Sequence, residues 1–220
     1  MDLRALAAAH RAASAAAGPA DVKNISPSLR KFEHYVSTQR NELAVIAEWR
    51  GGTPVAPFVQ AAEAAGCYGT CIAAHAEWGG SLADIRAANA VAKMPVLARG
   101  IVLDEQDLYR LRDAGADAFV VFAALHDAAA LTRLRKAARS MHAEILVQID
   151  DDAGLATALA SECALLGITL AAHLAKIPAT RVPIFAGAVP STDAITPLLP
   201  QIDAVIVPPG LDPEPFTSLV

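Results

Sequence analysis

Cysteine is scarce in this sequence, and the shortage excludes one class of protein. Only 3 of the 220 residues are cysteine, and a small odd number does not make the paired framework of a disulfide-stapled secreted domain. No second Cys or His pair follows Cys67 and Cys71 at the spacing of a zinc ribbon. We therefore interpret Cys67, Cys71 and Cys163 as buried thiols in a reducing compartment, and we expect no metal site.

Positive charge and long apolar runs are scarce as well. Lys and Arg number 18 against 23 Asp and Glu, for a formal net charge of −5, whereas a nucleic-acid site needs clustered Lys and Arg on one face. No apolar run reaches the roughly 18 residues of a membrane-spanning helix. The Ala-rich stretch Leu6–Ala17 lacks the strongly apolar core of a signal peptide. We expect a cytoplasmic protein with no nucleic-acid or membrane partner.

Alanine, by contrast, is abundant, with 50 residues of the 220. The hydrophobic fraction is 54%, and once alanine is set aside about 31% of the chain is still apolar. That fraction is enough for a core and excludes a disordered chain. The length fits one α/β barrel, a fold that begins at about 200 residues.

After residue 40, short β-branched runs alternate with turns and Ala-rich helical stretches. The predicted strands are Leu43–Trp49, Tyr68–Ala74, Pro95–Gly100, Ala118–Phe122, Glu144–Asp150, Leu165–Leu170, Pro183–Gly187 and Ala204–Val207. They begin about 18 to 27 residues apart, a spacing that suits a strand and one crossover helix. Eight strands with helices between them predict an α/β fold, a closed (β/α)8 TIM barrel over residues 41–220.

Helical stretches with clear boundary signals separate these strands. We predict helices over Pro57–Ala65, over Leu82–Ala92 with Ser81 as N-cap, and over Asp104–Ala114. The sequence Gly51-Gly52-Thr53-Pro54 lacks the G-x-G-x-x-G spacing of a dinucleotide site. We expect no cofactor.

The two ends depart from the repeating pattern. Residues 1–40 predict a separate N-terminal helical extension, with helices over Leu3–Ala17 and Pro27–Gln39. After the eighth strand, residues 208–220 contain four prolines, which disfavour a full closing helix. The last helix is therefore expected to be short.

The carboxyl ends of barrel strands carry the chemistry in this fold, so they define one rim. The rim residues are Glu48, Arg50, His75, Arg99, Gln148, Asp150, Thr169, Gly187 and Pro208-Pro209-Gly210. Glu48 and Arg50 are two apart on a strand and so point to the same face. We expect Arg99 to meet them over the barrel mouth.

A glutamate between two arginines permits two interpretations, which the sequence leaves open. One is a pocket for a carboxylate or phosphate, which arginine binds well; the other is an internal ion pair that closes the mouth. His75 is more typical of a solvated or hydrogen-bonded side chain than of a catalytic one. The run Asp150-Asp151-Asp152 favours a helix cap over a divalent metal site.

Phosphate binding at its usual position, after the last two strands, is disfavoured in this sequence. Backbone amides hold phosphate at that position in many barrels. Gly187 permits close backbone approach, but Pro208 and Pro209 have no N–H to donate.

Three stretches of the sequence resemble the indole-3-glycerol phosphate synthase family. They are AVIAEWRGGTP, EWGGSLADIRA and MPVLARGIVLDEQDLYRLRDAGADAFVVFAAL, and the similarity runs from about Pro27 to Leu170. The resemblance implies a (β/α)8 barrel with an extra N-terminal helical segment. It also implies closure of the indole ring of a carboxyphenylamino-deoxyribulose phosphate, with loss of carbon dioxide and water.

The functional residues that the resemblance implies are mostly replaced. Glu48 stands at the family's strand-one Glu, Arg50 at its Lys and Thr53-Pro54 at its Ser-Pro. Arg99 stands where the family has its general-acid Lys, and Gln148 replaces the strand-five Glu.

The later positions are also replaced. Thr169 stands for the strand-six Asn, Phe185-Ala186-Gly187 for E-S-G and Pro208-Pro209-Gly210 for G-S-S. Of the expected proton-transfer groups, Glu48 alone stands at its family position.

Three hypotheses about function follow. The first is a repurposed enzyme for an aromatic, anthranilate- or indole-derived acid or phosphate, with Glu48, Arg50 and Arg99 as catalytic residues. The second is a catalytically dead paralogue that acts as a binding or regulatory protein partner. The third is a genuine synthase with relocated catalytic groups.

For the ligand we expect a small, aromatic and anionic molecule. The residues expected to contact it are Trp49, His75, Trp78, Ser81, Gln148, Thr169, Gly187 and Gly210. Whether the two tryptophans line a pocket for a flat ring or pack under loops stays open.

Overall fold

A closed barrel of eight parallel strands forms the centre of the molecule. The computed structural model describes residues 2–20, 22, 25–37 and 43–219. Each strand pairs with the next along the chain, and the eighth pairs with the first. The strands are β1 Ala44–Trp49, β2 Gly69–Ala73, β3 Val96–Arg99, β4 Ala118–Phe122, β5 Glu144–Ile149, β6 Leu165–Ile168, β7 Val182–Phe185 and β8 Ala204–Val207. The predicted barrel is confirmed, and each predicted strand end falls within two residues of an observed one.

Near-continuous burial explains why the strands read as apolar runs. Every residue of β1, β2, β3, β4, β6 and β8 is buried. Strands of a parallel barrel are covered on both faces, by the interior on one side and by helices on the other. A charged residue on such a strand is therefore costly unless it is paired.

Helices alternate with the strands along the chain, and two of the described helices precede β1. The helices are α1 Leu3–Ala17, α2 Phe32–Ser37, α3 Val55–Ala64, α4 Leu82–Val91, α5 Glu105–Asp113, α6 Ala128–Ser140, α7 Asp152–Ala160, α8 Thr192–Ile195 and α9 Glu214–Thr217. The helix predicted over Pro57–Ala65 begins two residues earlier, at Val55. Within the described ranges, no helix combines the length and apolarity needed to cross a bilayer.

Aspartate side chains begin four of these helices. Asp2, Asp104, Asp127 and Asp151 each accept hydrogen bonds from backbone N–H groups of the first turn, which satisfies donors that a helix leaves unpaired. Asp151 accepts from Gly154 N at 2.7 Å. The helix-cap interpretation of the acidic run is therefore confirmed for Asp151.

The segment before α2 is tied to the amino-terminal face of the barrel by a buried aspartate. Asp117, 1% exposed, accepts from the hydroxyl of Ser28 at 2.7 Å and from Nη1 of Arg112 at 2.9 Å. Its second oxygen lies 2.8 Å from Nε of Arg30 and accepts from Val96 N at 2.9 Å. Four partners on four parts of the chain thus converge on one carboxylate.

These contacts correct the helix predicted over Pro27–Gln39. The observed helix α2 begins only at Phe32, because Ser28 donates its backbone N–H to Met141 O at 2.8 Å and its side chain bonds Asp117. An extended backbone lets Ser28 bond Met141 O and Asp117 at the same time, whereas a helical backbone does not. Residues 38 and 39 of the predicted helix, and the predicted boundary between residues 40 and 41, lie outside the described residues.

The last quarter of the barrel has short crossovers. A six-residue 3-10 helix, Ala171–Lys176, lies between β6 and β7, and the four-residue α8 followed by the 3-10 helix Thr196–Gln201 lies between β7 and β8. Prolines at positions 178, 190, 197 and 200 interrupt helical hydrogen bonding in these segments. The last helix, α9, has four residues, which confirms the predicted shortening.

Candidate functional site

A buried ion pair lies at the mouth of the barrel, where β1 and β3 end. Glu48 and Arg99 are 4% and 5% exposed, and Nε of Arg99 lies 2.6 Å from Oε1 of Glu48. This short contact between two buried, oppositely charged side chains is an ion pair. The strand periodicity that put Glu48 at the mouth thus brings it to Arg99, as the sequence predicts.

Arg50 completes the group from the end of β1. Its Nη2 atom lies 3.0 Å from Oε2 of Glu48, and its side chain is 41% exposed. Each carboxylate oxygen of Glu48 therefore faces one guanidinium. The Arg50 contact is the more solvated of the two, and Arg50 is the charge that a ligand from solvent reaches first.

The polar chain continues from Arg99 across the mouth to β5. Arg99 Nη1 donates to Oε1 of Gln148 at 2.6 Å, and Nε2 of Gln148 donates to Oδ1 of Asp150 at 3.0 Å. Gln148 is thus held between a cation and an anion. An amide in that position orients its neighbours but does not exchange a proton with a ligand.

Cys71 lies on β2 between the two charged strands. It pairs in register with Glu48, and it is fully buried. Burial raises the pKa of the Cys71 thiol to about 12, although the positive charge of Arg99 opposes the rise. The thiol is therefore protonated near neutral pH and is no nucleophile, so its part in the mouth is to fill space beside Arg99.

A cavity of about 380 Å³ opens beside this group, between β1, α3 and the segment after β8. We call it the Trp49 cavity. Its lining includes Glu48, Trp49, Arg50, Phe58, Gly210 and Asp212. The indole N–H of Trp49 donates to Thr53 O at 3.0 Å, which fixes the ring against the loop after β1. Two aromatic rings and three charged side chains thus meet in one small space.

A second cavity, of about 490 Å³, lies on the other side of the mouth under α1. We call it the His75 cavity. Its lining includes His10, His75, Ser81, Asp107 and Arg110. His75 accepts from Glu77 N through Nδ1 at 3.2 Å, and Ser81 donates its hydroxyl to Asp84 Oδ2 at 2.7 Å. These two predicted ligand residues are therefore separated from Trp49 and Arg50.

Contacts between α1 and α5 form one wall of the His75 cavity. His10 Nε2 lies 2.8 Å from Oδ1 of Asp107, and Arg110 bonds both Asp107 and Ser14. Burial lowers the pKa of His75, and the neighbouring His10, with ring centroids 6.1 Å apart, lowers it further. The polar groups here serve mainly to hold α1 against the barrel.

The remaining predicted contact residues are engaged in packing. Trp78 is stacked on Phe122, with ring centroids 5.7 Å apart. Thr169 donates its hydroxyl to Ile149 O at 2.8 Å. Gly187 lies so close to Thr169 that a Cβ atom there would overlap the Thr169 carbonyl oxygen.

The predicted site residues thus fall into three groups. Glu48, Arg50, Arg99 and Gln148 form one network, with Trp49 and Gly210 beside it in the Trp49 cavity. His75 and Ser81 line the His75 cavity, while Trp78, Thr169 and Gly187 pack in the rim. Sequence reasoning missed Phe58 and Asp212, for which spacing carries no signal because they come from α3 and from the segment after β8.

Several known proteins similar to this chain are named as indole-3-glycerol phosphate synthases. A model of the indole-3-glycerol phosphate synthase family matches residues 3–170. The indole-3-glycerol phosphate synthase 2 of Ralstonia nicotianae is 34% identical over 89 residues, which are 40% of this chain and 33% of that protein. The indole-3-glycerol phosphate synthase of Paenarthrobacter aurescens is 25% identical over 164 residues, 74% of this chain and 58% of the relative. That of Albidiferax ferrireducens is 36% identical over 89 residues, 40% of this chain and 34% of the relative.

These matches cover less than two thirds of the length of each relative. The family model is broader along this chain, because it extends from α1 to the end of β6 and so takes in the N-terminal helix and six of the eight strands. The closed barrel with a helix before β1 is the fold that the sequence resemblance implied. The chain therefore belongs to the indole-3-glycerol phosphate synthase family.

Proposed function

We propose that this chain is a ligand-binding member of the family that takes a small anionic aromatic molecule at the barrel mouth and has lost efficient ring closure. One observation carries the proposal. At the three acid–base positions of the family, Arg99 forms an ion pair with Glu48 and donates a hydrogen bond to Gln148.

The loss of ring closure follows from the chemistry of these side chains. A guanidinium does not give up its proton near neutral pH, and an amide neither accepts nor donates one in catalysis. Removing a positioned acid or base lowers a rate by about 100- to 10,000-fold. Arg99 and Gln148 stand at two such positions, and Glu48 has both oxygens against arginines.

Binding, by contrast, is supported by what the mouth retains. Arg50 is 41% exposed and presents further N–H donors beyond its contact with Glu48. Half-buried Phe58 and the small exposed part of Trp49, which is 5% exposed, give the same cavity apolar surface, against which an aromatic ring packs favourably. A ligand with a ring and an anionic group satisfies both features at once.

A second candidate function is an enzyme with a different reaction, and the geometry of Glu48 favours it. Its contact with Arg50 is longer, at 3.0 Å, than its contact with Arg99, at 2.6 Å. A ligand anion that binds Arg50 competes with Oε2 of Glu48 and so frees that oxygen. Glu48 would then act as a general base on an aromatic acid or phosphate held beside it.

Calorimetry with indole-3-glycerol phosphate and its unphosphorylated analogue tests the binding proposal. We expect saturable binding of indole-3-glycerol phosphate, weakened about tenfold or more by Arg50→Met because a charged hydrogen bond is lost, and weaker binding of the uncharged analogue. Asp193→Asn, which changes an exposed charge on α8, is the matched control and leaves the affinity unchanged. Binding that is unaffected by Arg50→Met, or no binding of either compound, contradicts the proposal.

Turnover separates the two candidate functions. A binding protein leaves the bound compound unchanged through prolonged incubation, whether Glu48 is present or replaced by Gln. A repurposed enzyme converts an aromatic acid or phosphate, and Glu48→Gln abolishes the conversion while binding persists. Efficient ring closure by the unaltered chain would overturn the proposal altogether.

A further inference from the structure

The Trp49 cavity carries charges of both signs at its rim, which an acid-binding pocket does not need. At about 380 Å³ it is near the small end of the range for ligand pockets. Its apolar lining comes from Trp49, Phe58 and alanines of α3. Such a space suits one aromatic ring with a short polar substituent.

Arg50 supplies the positive side of the rim. Its Nη2 atom is engaged with Oε2 of Glu48 at 3.0 Å. A guanidinium has five N–H donors in a planar fork, and a carboxylate accepts two of them side by side. The exposed part of Arg50 is therefore suited to the carboxylate of a ligand.

Asp212 supplies the negative side. One of its oxygens, Oδ1, accepts from Glu214 N at 3.0 Å, which orients the carboxylate at the start of α9. A carboxylate has about four acceptor sites on two oxygens, so capacity for a cation remains. The Asp212 side chain lines the Trp49 cavity, in which Glu48 and Arg50 are the other charged residues.

We propose that the Trp49 cavity selects the zwitterion of an aromatic α-amino acid, with Arg50 binding the carboxylate, Asp212 the ammonium group and Trp49 with Phe58 the ring. This proposal rests on the proposed function and narrows its ligand class to aromatic molecules whose anionic group is accompanied by an ammonium group. A simple aromatic acid satisfies Arg50 but leaves Asp212 without a partner. An aromatic amine has the reverse defect.

Calorimetry at pH 7 with three related probes tests the selection. They are L-phenylalanine, 3-phenylpropionate, which lacks the amine, and 2-phenylethylamine, which lacks the carboxylate. We expect L-phenylalanine to bind about tenfold or more tightly than either of the others, since each lacks one charged hydrogen-bonding group.

Two variants assign the groups. Asp212→Asn keeps an acceptor oxygen for Glu214 N and removes the charge, so it lowers the affinity for L-phenylalanine to that for 3-phenylpropionate. Arg50→Met weakens the binding of both L-phenylalanine and 3-phenylpropionate. Asp193→Asn removes an equivalent exposed charge outside the cavity and changes none of the three affinities, and thermal melting confirms that each variant is folded.

The possible failures are distinguishable. If 3-phenylpropionate binds as tightly as L-phenylalanine, or if Asp212→Asn leaves their ratio unchanged, the zwitterion proposal is overturned while an acid-binding function stands. If none of the three probes binds, the zwitterion proposal is overturned, and Arg50-dependent binding of indole-3-glycerol phosphate decides the proposed function separately.

Discussion

The Nε atom of Arg99 lies 2.6 Å from Oε1 of Glu48, with both side chains buried among the strands of the barrel mouth. Arg50 reaches the other oxygen of Glu48 from the solvent side. One carboxylate held between two guanidinium groups thus lies at the mouth of this barrel. The stability of the fold and the chemistry of the site therefore depend on the same few atoms.

Removing Arg99 leaves Oε1 of the buried Glu48 without its cation, and Arg50 then faces Glu48 alone from the solvent side. We expect Arg99→Met to lower the free energy of unfolding by about 3–5 kcal/mol, the usual cost of removing one member of a buried ion pair. Urea unfolding measures the loss. The double variant Glu48→Leu/Arg99→Met removes both charges and regains much of it. If the double variant loses as much unfolding free energy as Arg99→Met and Glu48→Leu lose together, the two charges do not act as a pair.

Asp117 provides a second test, at the opposite face of the barrel. Asp117→Asn replaces one acceptor oxygen by an N–H₂ group among Arg30, Arg112 and Val96 N, and we expect a loss of about 3–5 kcal/mol in the free energy of unfolding. Asp113→Asn is the matched control, because Asp113 and its partner Arg86 are more than half exposed. An exposed pair of this kind contributes about 0–1 kcal/mol to the free energy of unfolding, so the control variant loses little. Equal losses in the two variants would refute the special status of Asp117.

Stability is expected to fall as the pH drops below neutral. Burial lowers the pKa of both His75 and His126 below 6.5, with His10 adding to the effect at His75. The folded chain then binds these protons less readily than the unfolded chain, so the unfolded state gains on acidification. Their contribution to stability is complete above pH 6.5 and is lost as the pH falls from there towards the lower folded pKa values.

Unfolding in urea at a series of pH values measures this dependence. The double variant His75→Asn/His126→Asn removes both imidazoles and gives a flatter profile between pH 7 and pH 5. If the double variant shows the same dependence of unfolding free energy on pH, groups other than these two histidines cause the acid sensitivity.

The glycine at the end of β7 is expected to tolerate no side chain. In Gly187→Ala the new methyl group overlaps the Thr169 carbonyl oxygen and lies 2.8 Å from Phe185 Cζ, and overpacking of this kind costs about 1–3 kcal/mol. Gly210→Ala is the comparison, because its Cβ meets open space and the strain comes only from a φ of +89°, which costs an L-residue about 1–2 kcal/mol. Thermal unfolding compares the two. A smaller loss at Gly187 than at Gly210 would contradict the overlap.

Local signals in the sequence were sufficient for the barrel. Prolines, glycines and aspartate caps mark the helix boundaries, and buried runs mark the strands, so β4 and β8 match their predicted bounds. The helix predicted from Pro27 fails for a different reason. Its residues are held by Asp117, 89 positions away from Ser28, and no local pattern reports a partner at that distance.

The site was predictable where strand periodicity decides it. Glu48 and Arg50 share a face because they are two apart, and the same rule places Trp49 on the opposite face of β1, towards α3. This alternation separates Trp49 from Glu48 and Arg50, and it can be read from the sequence alone. Phe58 and Asp212, by contrast, reach the cavity through the packing of α3 and of the chain after β8, which strand spacing does not describe.

The short crossovers after β6 and β7 divide the barrel into two regions of unequal protection. Around β1 to β5, helices of nine or more residues cover the strands, whereas the cover of the last strands consists of 3-10 turns and four-residue helices. Backbone amides of β6 to β8 should therefore exchange with deuterium before those of β4 and β5, since regions with thin cover open at lower free energy. The segment that lines the Trp49 cavity follows β8 directly, so ligand binding there would slow the exchange of the least protected part of the chain.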